Sequence, residues 1–247
     1  MNPVDEFLVV GAGAAGCETA WGLARRGRRT TLLTTSLDTI YALPADAWVE
    51  RPPPGTLWAA VAAEAADELG RQRAGPLRRA AKRELERLGG LKVVQSNACA
   101  LELEGDRAVG VRTWEGPVVR AATTVLAVGS FLGARLTIGP AVERAGRLSE
   151  MAYDDLRDAL RAAGVAFARR EAARDGEGGA PGYRVAYDVW DPTEVERPPG
   201  LPDGAGRVRR WRGLWVVGAC AFDVGIAEAA DAGRQLAAWL ADAPPEP

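Results

Sequence analysis

The chain of 247 residues carries 31 Lys and Arg against 33 Asp and Glu, a formal net charge of -2, with 47% hydrophobic residues, three cysteines and no histidine. The lack of histidine excludes a Ser-His-Asp triad, a Cys-His pair and any imidazole-ligated metal, and the near-neutral balance gives no global case for nucleic acid. Length and apolar share fit one large domain with a sizeable core, and three scattered cysteines fit free thiols in a reducing compartment, so a cytoplasmic location is expected.

The start Met-Asn-Pro-Val-Asp-Glu has no basic segment of a signal peptide. The most apolar stretch, Leu57 to Ala66, is too short for a membrane span and carries Glu64. Phe7 to Val10 is an apolar run that ends at Gly11. Gly16, Ala20, Leu23, Ala24 and Gly27 then recur at helical spacing, and Thr30 to Leu33 is a second apolar, β-branched run. Strand, helix and strand predict a β-α-β unit with a parallel pair.

A proline-rich loop from Tyr41 to Gly55 leads into a helix from about Leu57 to Leu69. A further helix has Pro76 in its first turn, Leu77, Ala81, Leu85 and Leu88 on its apolar face, and Gly89-Gly90 as its stop. Its opposite face carries Arg78, Arg79, Lys82, Arg83, Glu86 and Arg87, either as a solvated surface or as a contact for an anionic partner.

Strand signals follow at Lys92 to Gln95, Ala98 to Leu103, Ala108 to Thr113 and Pro117 to Arg120, a meander, and at Thr123 to Val128, a further buried strand. From Gly139 to about Arg212 one helix, capped by Ser149 and stopped at Gly164, precedes Gly- and Pro-rich segments, a small cap or insertion. The chain closes with a strand at Leu214 to Val217, a helix from about Ile226 to Leu240, and a tail expected to be disordered.

Gly11-Ala12-Gly13-Ala14-Ala15-Gly16 matches G-x-G-x-x-G, after a strand and at the start of a helix. In that context Gly11 permits the tight turn, Gly13 lets a diphosphate approach the backbone, and Gly16 lets helix and strand pack closely. The amides of Ala14 and Ala15 then face an anion at the positive helix end. The acidic residue that usually bonds the ribose is missing: the window reads Thr34, Thr35 and Ser36, with Asp38 serving either the ribose or a turn.

Four segments resemble the FAD-binding part of the tRNA uridine-modifying family called glucose-inhibited division protein A, or MnmG. They are Val9 to Ala20, Thr31 to Ile40, the run Val94 to Leu132 with Gly105-Asp-Arg-Ala-Val-Gly inside it, and Gly213 to Gly218 with Gly225 to Gly233. The resemblance implies an α/β, Rossmann-like fold with a parallel sheet and β-meander crossover. Residues 1–139 and 211–242 would form the FAD-binding part, 140–210 a small cap, and 243–247 the tail.

It also implies FAD as cofactor. Gly11 to Gly16 would hold the diphosphate, Thr34, Thr35 and Ser36 the adenosine ribose, and Ala98 the adenine through its backbone. Val128 and Gly129 would lie alongside the cofactor, and Gly218, Ala219 and Cys220 would flank the ribityl chain. Gly225, Ile226 and Ala227 would face the pyrimidine edge of the flavin, where a helix N-terminus favours the negative charge of the reduced ring.

The departures shape the functional expectation. Ala45-Asp46-Ala47 stands where the family has Cys-Asn-Pro, and the likeness stops short of the family's tRNA-engaging helical region. The expectation is therefore an FAD-dependent oxidoreductase with an unnamed small-molecule or protein substrate, or a flavin-bound partner or regulatory subunit, with tRNA not expected as its substrate. Cys17 and Cys99 read as packing residues. Cys220 reads as packing or as a nucleophile activated by a helix N-terminus. Arg207, Arg209, Arg210 and Arg212 with Trp211 read as an alternating strand surface in an arginine-rich chain or as a nucleic-acid contact. Asp223, Glu228, Tyr183 and Tyr187 are candidates for proton transfer.

Overall fold

The computed structural model describes residues 5–43, 47–48, 51–174, 182–201 and 203–243. The β-α-β opening consists of β1 (Asp5–Val10), α1 (Ala14–Arg25) and β2 (Thr30–Thr34), with β1 and β2 parallel and Phe7 opposite Thr30. The last four residues of β1 and all of β2 are buried, as befits strands covered on both faces. Ala45 and Asp46, part of the stretch that replaces Cys-Asn-Pro, lie outside the described residues.

The short strand β3 (Ala47–Trp48) precedes α2 (Leu57–Ala65) and pairs with β4 (Gln72–Arg73). Helix α2 ends before the expected Leu69 because the Asp67 side chain accepts from Leu69 N at 3.0 Å and Arg71 N at 2.9 Å, closing a turn that competes with the helix. Helix α3 (Ala74–Arg87) buries Leu77, Ala80, Ala81 and Leu85 and turns its cationic face outward. Two of those cations are paired, Arg83 with Glu64 and Lys82 with Glu86.

Strand β5 (Leu91–Gln95) pairs in parallel with β2, and the meander follows as β6 (Ala98–Glu104), β7 (Arg107–Thr113) and β8 (Val118–Leu126). The two strands expected over Pro117 to Val128 are one. Its first part, Val118 to Arg120, runs antiparallel to β7, and its second, from Ala121, runs parallel to β1. Ala121-Ala122 carries no turn residue, so nothing breaks the strand as it passes from one partner to the next.

Beyond it lie β9 (Arg135–Ile138), β10 (Ala141–Glu143), the hairpin of β11 (Ala145–Arg147) and β12 (Glu150–Met151), α4 (Asp154–Ala162), β13 (Phe167–Arg174) and β14 (Tyr183–Trp190). A second antiparallel sheet has the order β10-β9-β14-β13, so it begins at Arg135, ahead of the expected boundary. Ser149 does not cap α4. It sits in the hairpin turn at φ 62, and α4 starts later behind Tyr153, with Asp154 and Asp155 in its first turn where carboxylates favour the helix end.

Strands β15 (Val195–Glu196) and β16 (Ala205–Val208), expected within the cap, instead extend the main sheet, β16 antiparallel to β17 (Leu214–Val217) and β15 antiparallel to β16. The main sheet has the order β15-β16-β17-β8-β1-β2-β5, with β17, β8, β1, β2 and β5 parallel. Helix α5 (Ile226–Asp242) completes the chain, and residues 244–247 of the tail lie outside the described residues. Alternation along β1 serves two cores: Phe7 and Val9 join α1, α2, α3 and α5, while Leu8 and Val10 join Leu126, Val216 and the Leu156 and Leu160 face of α4. No described helix is long and apolar enough to cross a membrane.

Candidate functional site

The parallel strands β1, β2, β8 and β17 present their carboxyl ends at one edge, where open α/β sheets bind ligands. At the end of β1, Gly11 adopts φ 102, and a Cβ there would lie 2.4 Å from the Ala127 carbonyl oxygen. A Cβ on Gly16 would lie 1.9 Å from the Gly11 oxygen. These two glycines let β1, the end of β8 and α1 meet. Gly13, the N-cap of α1, has nothing within 4 Å of its would-be Cβ and an ordinary extended backbone, so the fold does not require glycine there. The space it leaves lies outside the protein, and no side chain caps α1.

Helix α5 is drawn against α1 by small residues: a Cβ on Gly233 would meet Ala15 O at 2.3 Å, and one on Gly22 would meet the Ala237 Cβ at 2.7 Å. Thr19 Oγ1 donates to Ala15 O at 2.8 Å and to Gly233 O at 3.3 Å. The N-terminus of α5, behind Gly225, is thereby brought beside that of α1, and Ala14, Ala15, Gly225 and Ile226 line one open cavity of about 190 Å³. Ala219, Gly129 and Tyr183 line it too.

An adjoining open cavity of about 90 Å³ is lined by Gly11, Ala12 and Gly13 of the turn, Thr34 and Thr35 at the end of β2, and Val128 and Gly129 after β8. The tertiary structure thus gathers most of the residues named from the sequence. Others sit nearby without lining either space. Gly16 packs. Ser36 Oγ accepts from Asp38 N at 3.2 Å, which places Asp38 in a turn. Ala98 is buried opposite Thr113, Gly218 turns the chain at φ 78, and Ala227 lies one residue inside α5.

Sequence reasoning missed Phe131, Arg147, Glu150 and Tyr153, which line the smaller cavity from beyond the first sheet. Arg147 forms an ion pair with Glu150, and Tyr153 is buried with its hydroxyl bonded to Thr35. The one signal available was the opposite-charge pair three residues apart, a spacing that a hairpin or a helix would use equally.

Of the two readings of Cys220, the structure supports packing and not an activated nucleophile. The residue ends a one-turn 3-10 helix (Gly218–Cys220), is fully buried, and points its thiol at Leu126 O and Val217 O, 3.4 Å from each. Burial pushes that thiol up to about 11, away from the thiolate. Burial likewise raises Cys17, and Cys99 is pushed up to about 11 by desolvation and by neighbouring Asp155.

The basic-aromatic segment is a set of ion pairs: Arg207 and Arg209 with Glu196, Arg210 with Glu194, and Arg212 with Asp106, around a buried Trp211. Asp223 faces Arg170 at 3.8 Å at the surface, Tyr187 is buried, and Glu228 Oε2 accepts from Gly225 N at 2.7 Å, capping α5.

Comparison with known proteins adds a family. The model described as Glucose inhibited division protein A matches residues 6–173. The tRNA uridine 5-carboxymethylaminomethyl modification enzyme MnmG of Chlamydia trachomatis serovar D is 32% identical over 224 residues, 80% of this chain and 36% of its own length. That of Chlamydia caviae is 31% identical over 236 residues, 85% of this chain and 37% of its own. The chain therefore spans little more than a third of the curated relatives it matches. Among solved structures, the GidA-related protein from Thermus thermophilus has a TM-score of 0.83 and 41% identity, with 96% of this chain and 98% of that one covered. Aquifex aeolicus GidA shares the fold at a TM-score of 0.78 and 17% identity, over 96% of this chain and 63% of its own.

Proposed function

The chain belongs to the glucose-inhibited division protein A family, and we propose that it binds FAD in extended form and works as an FAD-dependent oxidoreductase. The observation that carries the reading is the pair of helix N-termini, α1 behind Gly13 and α5 behind Gly225, that face adjoining cavities at the carboxyl edge of the parallel sheet.

The residues present fit the cofactor from end to end. Thr34 and Thr35 offer hydroxyls for the ribose of the adenosine. The open face of Gly13 and the uncapped start of α1 suit an anionic diphosphate. Ala219, Gly225 and Ile226 offer an apolar wall for the flavin ring at the start of α5. FAD, when bound, supplies two-electron transfer. The chain's own part is to orient the ring and to shield it from water. Among the titratable residues that line the two spaces, Tyr183 stands on the flavin side, while Glu150 and Tyr153 stand on the adenosine side.

The tRNA uridine modification of the relatives is not part of this proposal, because the chain spans little more than a third of their length. A second reading, a flavin-bound partner or regulatory subunit with little turnover, is favoured by the burial of Cys220. Purification, an absorbance spectrum and identification of the released cofactor test the first claim; a protein that carries no flavin and takes none up on incubation with FAD would sink it. Stopped-flow reduction with candidate donors then separates enzyme from subunit.

A further inference from the structure

Between the adenosine-side and flavin-side cavities the lining is shared by six residues: Gly13, Ala42, Ala127, Gly129, Phe131 and Arg147. Five of them are small or apolar. Arg147 is the only cation among the described residues that line either space. We propose that Arg147 is a cationic clamp on the diphosphate of the dinucleotide, held in place by Glu150; the inference rests on the FAD reading above.

Three observations place the clamp. An extended dinucleotide that spans both cavities carries its diphosphate in the middle, and the middle is the shared wall where Gly13 and Arg147 stand. The hairpin that carries Arg147 is held against the site. A Cβ on Gly146 would fall 2.3 Å from the Phe131 ring, so glycine alone lets the hairpin lie flat on that ring. Tyr153 N donates to Phe131 O at 2.9 Å, which fixes the far side of the hairpin to the same residue.

Charge supplies the third observation. Arg147 and Glu150 have side chains only 24% and 12% exposed, so the ion pair is poorly screened and the guanidinium is pre-oriented rather than swinging in water. Glu150 lines the adenosine side alone. Its carboxylate consumes part of the guanidinium's donor capacity and repels a diphosphate, so it trades affinity for orientation.

The test is binding of FAD and of riboflavin, which lacks both phosphates, to cofactor-stripped protein at two salt concentrations, with thermal melts as a control for folding. Arg147→Gln should weaken FAD by about ten- to a hundredfold, the range of a hydrogen bond to a charged group. It should flatten the salt dependence and leave riboflavin unchanged. Arg147→Lys should recover part of the loss, since a point charge replaces a fork. Glu150→Gln should change FAD affinity and leave riboflavin unchanged, and it carries the test should Arg147→Gln not fold. Equal changes for FAD and riboflavin in either variant, or an unchanged FAD affinity in folded Arg147→Gln or folded Glu150→Gln, would each overturn the clamp while wild-type FAD binding stands. Wild-type protein that binds no FAD would overturn the clamp and the parent reading together.

Discussion

Tyr41 donates a 2.6 Å hydrogen bond from its hydroxyl to Oε1 of Glu18, and the same carboxylate accepts from Leu57 N at 2.6 Å and Trp58 N at 3.0 Å. One buried side chain of α1 thereby caps α2 and anchors the loop that walls the site. Tyr41 holds φ 53, an uncommon conformation for a bulky residue, and its N–H bonds Ala12 O at 2.8 Å. Ala42 and Leu43, the next residues, line the cavities, so the carboxylate couples helix packing to the shape of the site.

That arrangement has a pH signature. Burial pushes the Glu18 carboxyl from its ordinary 4.5 up to about 7, against the bonds from Tyr41, Trp58 and Leu57 that favour its charged form. The folded state keeps this proton to higher pH than the unfolded state does. The stability it contributes is therefore full below about 4.5 and is lost as the pH rises to about 7. Urea midpoints of the wild type should fall relative to those of Glu18→Gln across that window. A difference between the two proteins that is constant with pH would contradict this account.

The glycine turn separates folding from binding. Gly13→Asp adds a side chain where nothing lies within 4 Å, so the melting temperature of the cofactor-free protein should hold while bound flavin is lost to bulk and like charge. Gly16→Ala puts a Cβ 1.9 Å from the Gly11 oxygen and should destabilise by about 1–3 kcal/mol before any ligand is considered. Melts and flavin absorbance of the two variants check this; a Gly13→Asp protein with full FAD would remove the diphosphate from that turn.

The start of α5 should tune the flavin. Glu228 already occupies the Gly225 N–H, and Ile226 is the first residue of the helix and lines the larger cavity. A carboxylate at that position in Ile226→Asp opposes the helix-end charge by roughly 0.3 to 2 kcal/mol, or about 6 to 40 mV for two electrons. The midpoint potential should drop relative to the uncharged, near-isosteric Ile226→Asn. Equal potentials in two flavin-loaded variants would place the charge out of reach of the ring.

The cysteines should be silent. Cys17 and Cys220 are buried, and Cys99 is raised to about 11, so alkylation of native protein near neutral pH should be slow until denaturant is added. Cys220→Ala should leave the rate of flavin reduction within about twofold, since one methyl-sized cavity costs about 1 kcal/mol of stability and no chemistry. A tenfold slower reduction with intact FAD content would restore Cys220 to the mechanism.

Much of the site was legible without a structure because its chemistry is local. A strand, a turn that needs the φ of Gly11, and a helix that needs Gly16 free of a Cβ all lie within a few residues, and each demand writes itself into the residue types. The same holds for the apolar stripe of α3 and for the final strand and helix. Where a strand changes partners, as β8 does between β7 and β1, the local pattern carries no mark of it, and one strand read as two. The choice between the two readings of Cys220 was open for the same reason: its burial is set by β8 and by the turn after β17, not by its neighbours in sequence. Residue types alone establish that this chain builds a glycine turn between a buried parallel strand and a helix. That the hairpin beyond the sheet lies on the Phe131 ring and brings Arg147 to that turn is settled in three dimensions, because packing at a distance depends on shape and burial that no short window of residues contains.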